Sequence, residues 1–427
     1  MIRIFRAIVS AGVIAAAAPG AAQVVPVGAA GLLAMVGQGQ YGKARDALRA
    51  AEHTDVDVLF LEAQILAHQG RLSEAVAAYR AILAANPGLT PVRQILAQTL
   101  FNMGDYDAAR FHFRTLMEAE PNPDLRVQYA NALRVIEQQI PSGINASFAI
   151  RPSTNINRGT YNTSFQAGAL NFTIDPTSRQ VSGVGLQVGV NGYYRIPVSD
   201  SAVVTLSAGA SQTIYEDDSF NVTQPYASVA YTKNAAQSTW TGSVFVNRAY
   251  RDAGNHVTSY GLQYSARRQV NGPYVLTYSA VAQQADYDTQ PTQTGQTYSF
   301  DLGIQQQVNP TTSLSAGLKL ARGLPESDAF KYWSTSAYAG VSRNWRGGWS
   351  GFMGVEVGGR RYDDNFTALT FARDDEFVTL SGSLLNSTIS YAGFAPRLNC
   401  SLQINSSNVA FYDYNATECS FELTRGF

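Results

Sequence analysis

His256 stands four residues after Asp252, and a histidine with a carboxylate in reach is the smallest kit for acid–base catalysis or for activating a nucleophile. A serine or a carboxylate pair converging on it would complete a hydrolase. None does so recognisably, so His256 reads as a loop residue. The acidic pairs Asp217-Asp218, Asp363-Asp364 and Asp374-Asp375 either bind calcium or stay hydrated, and hydration is the expectation. His53, His68 and His112 lack the spacing of metal ligands. No catalytic residue, metal or cofactor is expected.

Cys400 and Cys419 remain, and their chemistry depends on the elements that carry them. Leu398, Cys400, Leu402 and Ile404 alternate with Asn399, Ser401, Gln403 and Asn405, while Cys419, Phe421, Leu423 and Phe427 share one parity against Ser420, Glu422, Thr424 and Gly426. Both cysteines therefore lie on the apolar face of a strand. In an antiparallel pair they can meet at a separation that a disulfide tolerates, and an oxidising compartment favours the bridge. The alternative is two free thiols packed as small apolar residues.

The same alternation recurs at Tyr298, Phe300, Leu302 and Ile304 against Ser299, Asp301, Gly303 and Gln305, and fourteen such segments fill residues 143–427. Tight connections (198–201, 234–237, 271–272, 309–311, 347–348) alternate with long ones (152–179, 287–295, 323–331, 362–375, 407–414). An even number of strands of about 12 residues, apolar on one face and polar on the other, predicts a closed fourteen-stranded antiparallel transmembrane β-barrel over 141–427. A β-sandwich would use shorter strands. By parity the lumen holds Arg267, Asp301, Lys319, Glu356, Arg360 and Glu422, read as charges that brace one another. Phe421, Leu423 and Phe427 would form a signal for the barrel assembly machinery.

Ahead of the barrel the period becomes helical. Ala63, Gly70, Ala75, Tyr79 and Pro87 recur 34 residues later as Ala97, Gly104, Ala109, Phe113 and Pro121. Small residues where helices approach, an aromatic knob and a helix-stopping proline resemble the tetratricopeptide repeat. A degenerate copy shows at Gly39, Tyr41, Ala44 and Leu48, and a capping helix follows near 123–138. The reading is an α-solenoid over 23–140, whose concave face is expected to display Phe60, Gln64, Gln94, Gln98 and Phe101 to an extended peptide. Residues 1–22 carry Arg3 and Arg6, an apolar run from Ala7 to Ala18, then Gly20-Ala21-Ala22, which reads as a secretory signal peptide. Only 15% of residues are charged and the net charge is −1, which disfavours nucleic acid as a partner.

Two stretches are more specific than the architecture. Arg151-Pro152-Ser153-Thr154-Asn155-Ile156-Asn157 follows the first strand, and Ser407-Asn408-Val409-Ala410-Phe411-Tyr412-Asp413-Tyr414 leads into the last. With the repeats and the strand count, they resemble the surface lipoprotein assembly modulator (Slam) family over nearly the whole mature chain. Asn415 departs from the pattern, which would have a basic residue there, and Arg425, two places before the end, replaces an aromatic common in barrel assembly signals. The resemblance implies an outer-membrane translocon whose periplasmic repeats capture a surface lipoprotein or related secreted protein, and whose barrel offers its lumen or its seam as the route. A tetratricopeptide-barrel exopolysaccharide exporter is the alternative, but such exporters carry longer repeat arrays. A barrel enzyme would require His256.

Overall fold

A computed structural model describes residues 29–425 except 52, 121, 168–169, 200, 236, 253, 255, 271, 367–368, 387–388 and 390–393. The signal segment, Pro121 and Phe427 lie outside the described residues.

Among the described residues seven helices come first: α1 (Ala29–Gly37), α2 (Tyr41–Arg49), α3 (Asp55–His68), α4 (Leu72–Ala85), α5 (Thr90–Asn102), α6 (Tyr106–Ala119) and α7 (Pro123–Gln139). The 34-residue pattern explains their packing. Ala63, Ala75, Ala97 and Ala109 are fully buried where helices touch, and Tyr79 and Phe113 fill the spaces between hairpins. Gly70 and Gly104 turn the two hairpins at φ +77° and +79°, a conformation that a side chain disfavours. Thr54 caps α3 through a reciprocal bond with Asp57, while Asp105 and Asn122 cap α6 and α7.

Fourteen of sixteen strands close the barrel: β1 (Ser142–Ser153), then β4 (Gly183–Ser199) through β16 (Tyr414–Arg425). The intervening members are β5 (Ala202–Ile214), β6 (Val222–Ala235), β7 (Ser238–Arg251), β8 (Val257–Gln269), β9 (Tyr274–Tyr287), β10 (Gly295–Asn309), β11 (Thr312–Pro325), β12 (Tyr332–Asn344), β13 (Trp349–Asn365), β14 (Ala372–Asn386) and β15 (Phe394–Ser407). Every neighbouring pair is antiparallel, as hairpin connections require. The strand count and alternation expected from sequence hold. A hairpin of β2 (Ser164–Ala167) and β3 (Leu170–Thr173), inside the first long loop, was not foreseen.

Register assigns the two faces. Phe300 faces outward opposite Leu320 and Leu302 opposite Leu318, all exposed, so this apolar band would contact lipid. Asp301 lies opposite Lys319 on the other face, where Lys319 pairs with Glu356 at 2.7 Å and Tyr338 donates to Asp301 at 3.2 Å. Asn399 donates to Glu422 at 2.7 Å. These lumenal charges brace the wall as expected. No described helix is long and apolar enough to cross a membrane.

Candidate functional site

The two sequence signatures meet, although about 250 residues separate them. Asn155 donates through Nδ2 to the carbonyls of Gly159 and Asn415, both at 2.9 Å, and Thr160 Oγ1 donates to the Ala410 carbonyl at 2.8 Å. Asn162 reaches the Ala410 carbonyl at 3.0 Å and Asp413 at 3.3 Å, and Asp413 accepts from the Ser407 backbone N–H at 2.6 Å. Asn155, Thr160 and Val409 are buried, so the first and last long loops form one packed unit. Asn415 takes part through its backbone carbonyl, a role any residue type can fill. Arg373 extends the unit: it pairs with the buried Asp375 at 2.6 Å and lies over the Tyr412 ring at 3.2 Å.

This clasp spans the seam of the barrel. Among the described residues β1 and β16 share three residue pairs, Ala149↔Glu422, Ile150↔Phe421 and Ser153↔Glu418, whereas each pairs with its other neighbour through twelve. Pro152 has no N–H to give the ladder, which fits the thin pairing. Arg151 and Glu418 form an ion pair across the seam, and the Thr154 and Thr417 backbone N–H groups each bond across it at 2.9 Å.

At the opposite end the helices meet the barrel. The Gly347 N–H donates to the Ala84 carbonyl at 2.5 Å, and Arg195 donates to the Ile140 carbonyl at 3.2 Å. A methyl group added at Gly88 would touch Pro310 and Thr311 at 3.5 Å. The repeat domain thus sits against the tight turns, away from the clasp. Between it and the barrel floor lies a cavity of about 420 Å³ that includes Arg93, His112, Trp345 and Arg397. His112 is buried, and burial together with the Arg93 and Arg80 charges lowers its pKa well below the ordinary value, keeping the ring neutral.

The expected peptide-binding face needs correction. Phe60 is 2% exposed and packs on Tyr79, with ring centroids 6.3 Å apart. Phe101 is partly buried against the same core and stacks edge-on with Tyr106. The physical reason is spacing: Phe60 precedes Ala63 by three residues and Phe101 follows Ala97 by four, so each shares the helix stripe of a buried alanine. Gln64 and Gln94 are partly buried on those stripes, Gln94 accepting from the Tyr129 hydroxyl at 3.4 Å. Gln98 is exposed and bonded to Asn102. The large apolar side chains that α3 does display are Val58 and Leu59.

Cys400 and Cys419 are cross-strand partners joined in a disulfide, with Cα atoms 4.1 Å apart. Phe421 and Leu423 point outward. His256 accepts the Arg251 backbone N–H on Nδ1 at 3.1 Å and leans on Tyr250. Among the described residues no group of His, Cys, Asp and Glu is arranged to hold a metal.

A closed fourteen-stranded barrel with an apolar belt, a braced polar lumen and a helical-repeat stack at its tight-turn end defines the class: an outer-membrane β-barrel with a tetratricopeptide-like domain. The chain belongs to the surface lipoprotein assembly modifier family, whose profile matches residues 143–427, while the profile of that family's N-terminal TPR repeats matches residues 47–113. It is similar to Surface lipoprotein assembly modifier 1 of Haemophilus influenzae, 20% identical over 374 residues that cover 86% of this chain and 76% of the relative. The protein of the same name from Neisseria meningitidis serogroup B is 27% identical over 111 residues, 26% of this chain and 23% of the relative. Among solved structures, a bacterial polysaccharide outer membrane secretin aligns at 13% identity and a TM-score of 0.36, covering 66% of this chain and 98% of that one. So loose a likeness carries no argument.

Proposed function

We propose that this protein is an outer-membrane translocon that delivers a client, a surface lipoprotein or a related secreted protein, from the periplasm to the cell surface or medium. The observation that carries the reading is the seating of the repeat stack on the barrel. A helical-repeat stack, an architecture that commonly binds extended chain, sits directly against the tight-turn end, which is the periplasmic end in barrels of this kind. A client held there is already at the entrance. Family membership supports the cargo class. On this reading residues 1–22 are removed on export, 23–140 form the periplasmic domain, and the barrel inserts into outer-membrane lipid through the barrel assembly machinery.

Coexpression in a heterologous Gram-negative host with the product of an adjacent gene tests it. The client should become sensitive to external protease or appear in the medium only when this protein is present. His256→Ala should leave that transfer unchanged, because the mechanism uses no acid–base step. A client that stays periplasmic while a correctly inserted barrel accumulates would overturn the reading.

A further inference from the structure

The cavity between helices and barrel carries a charge imbalance that the fold does not resolve. Its lining includes Arg80, Arg93 and Arg397 and no aspartate or glutamate among the described residues. Arg80 has Asp105 as a nearby counter-charge. Arg93 has neutral partners, the Pro87 carbonyl at 3.0 Å and His112 Nδ1 at 3.5 Å, and burial alone pulls its guanidinium down to about 10, still a cation at neutral pH. On the barrel side, Glu422 stands opposite Arg397 in the ladder but receives the Asn399 amide.

The histidine adds a second observation. A guanidinium only donates, so the contact with Arg93 makes Nδ1 the acceptor. In the neutral ring the proton then sits on Nε2, which is buried without a hydrogen-bond partner. An orphaned donor beside a desolvated cation costs free energy unless an acceptor or anion is supplied. Arg93, His112 and Arg397 therefore offer donors only. Phe352 adds a ring to the same cavity on the lumenal parity, and Trp345 and Trp349 line its rim.

We propose that this cavity receives an acidic residue with apolar neighbours from the translocated chain, its carboxylate held by Arg93, His112 and Arg397 and its neighbours packed on Trp345, Trp349 and Phe352. The position argues for peptide rather than a lipid headgroup. Asn344 pairs with Ser350, Ser342 with Phe352, and Leu385 with both Ser350 and Arg397, which places these six residues, the anion-binding Arg397 among them, on the wall face opposite the lipid belt, while Trp349, on the parity of Met353 and Val355, and Trp345 over Gly351 form the rim on the belt side. The inference deepens the translocon reading and rests on it for the origin of the peptide.

The test uses the full-length protein in detergent micelles and reads tryptophan fluorescence. The probes are the blocked tripeptide acetyl-leucyl-aspartyl-leucinamide, its asparaginyl counterpart, and inorganic phosphate. The acidic peptide should bind saturably and the amide at least tenfold more weakly, with phosphate failing to compete. Arg93→Gln and Arg397→Gln should each weaken the acidic peptide at least tenfold. Arg93→Lys, which keeps the charge, should lose less, and Arg397→Gln lies in the barrel, where heat-modifiable migration checks folding separately. Equal binding of acid and amide, or full affinity in both glutamine variants, would overturn the proposal, and competition by phosphate would point to an anionic headgroup instead. Client display in cells is read independently: display intact in variants that no longer bind the peptide sinks the acidic site alone, whereas display absent with peptide binding intact sinks the translocon.

Discussion

Truncating Phe60 to alanine deletes a fully buried ring from the repeat core, so the expected result is a loss of about 3–5 kcal/mol in repeat-domain stability. Denaturant unfolding of the full chain, followed by far-ultraviolet circular dichroism at the helical minimum, measures it. Unchanged stability with weakened client binding would return Phe60 to a recognition role. The residues that sequence identified well, Ala63, Gly70, Tyr79 and their copies, are those whose packing reason fixes their type. Phe60 and Phe101 misled because an aromatic on a helix fits a groove or a core equally well, and only the distance to the nearest alanine decides. His112 supplies a pH dependence. Its folded-state pKa lies below the ordinary 6.5, so the unfolded chain takes up a proton that the folded chain refuses. Stability from this group is complete above about pH 6.5 and falls as pH drops below it. Glu137 runs the other way: burial raises its pKa, and its contribution is lost as pH rises through the folded value. Thermal unfolding of the repeats between pH 7.5 and 5.5 should therefore fall more steeply in the wild type than in His112→Gln. Matching slopes would mean that the histidine protonates without unfolding.

At the scale of elements, β1 against β16 is the thinnest junction of the barrel: among the described residues three residue pairs and the Arg151–Glu418 ion pair hold it, with the outer clasp above them. Ile150 and Phe421 face each other directly across it. An Ile150→Cys, Phe421→Cys bridge should raise the unfolding temperature of the oxidised barrel over its reduced form, because it fastens the strand pair that can open at least cost. An unchanged temperature would show that unfolding starts elsewhere. The native Cys400–Cys419 bridge ties a well-paired hairpin, and Cys400→Ser should cost about 2–4 kcal/mol, seen as a lower melting temperature in detergent. Strands such as β10 and β15 were legible because a period of two with lipid on one side and water on the other leaves residues little choice. The clasp was not. Its bonds join loops by backbone carbonyls and amide side chains, and nothing in the spacing of Asn155, Thr160 or Asp413 announces that partner. The β2–β3 hairpin carries two strands of four residues, too short for alternation to stand out. Arg93 and Arg397 are unremarkable in the sequence until the fold brings a helix and a strand to one cavity.

For the whole molecule, orientation decides whether any of this machinery can work. The helices touch the turn at 309–311 through Gly88 and the turn at 345–348 through Ala84, so the tight turns and the repeat domain share one end. The long loops, with the clasp, occupy the other. In barrels of this class short turns face the periplasm, which on the proposed translocon reading would put capture and release on opposite sides of the membrane. Single cysteines introduced at Thr289 and Asp328, both exposed beyond the long-loop end, should react with a membrane-impermeant maleimide on intact cells. A cysteine at Thr311, beneath the helices, should react only after the outer membrane is permeabilised. Labelling of position 311 alone on intact cells would invert the molecule, place the repeats outside, and leave them unable to take a client from the periplasm.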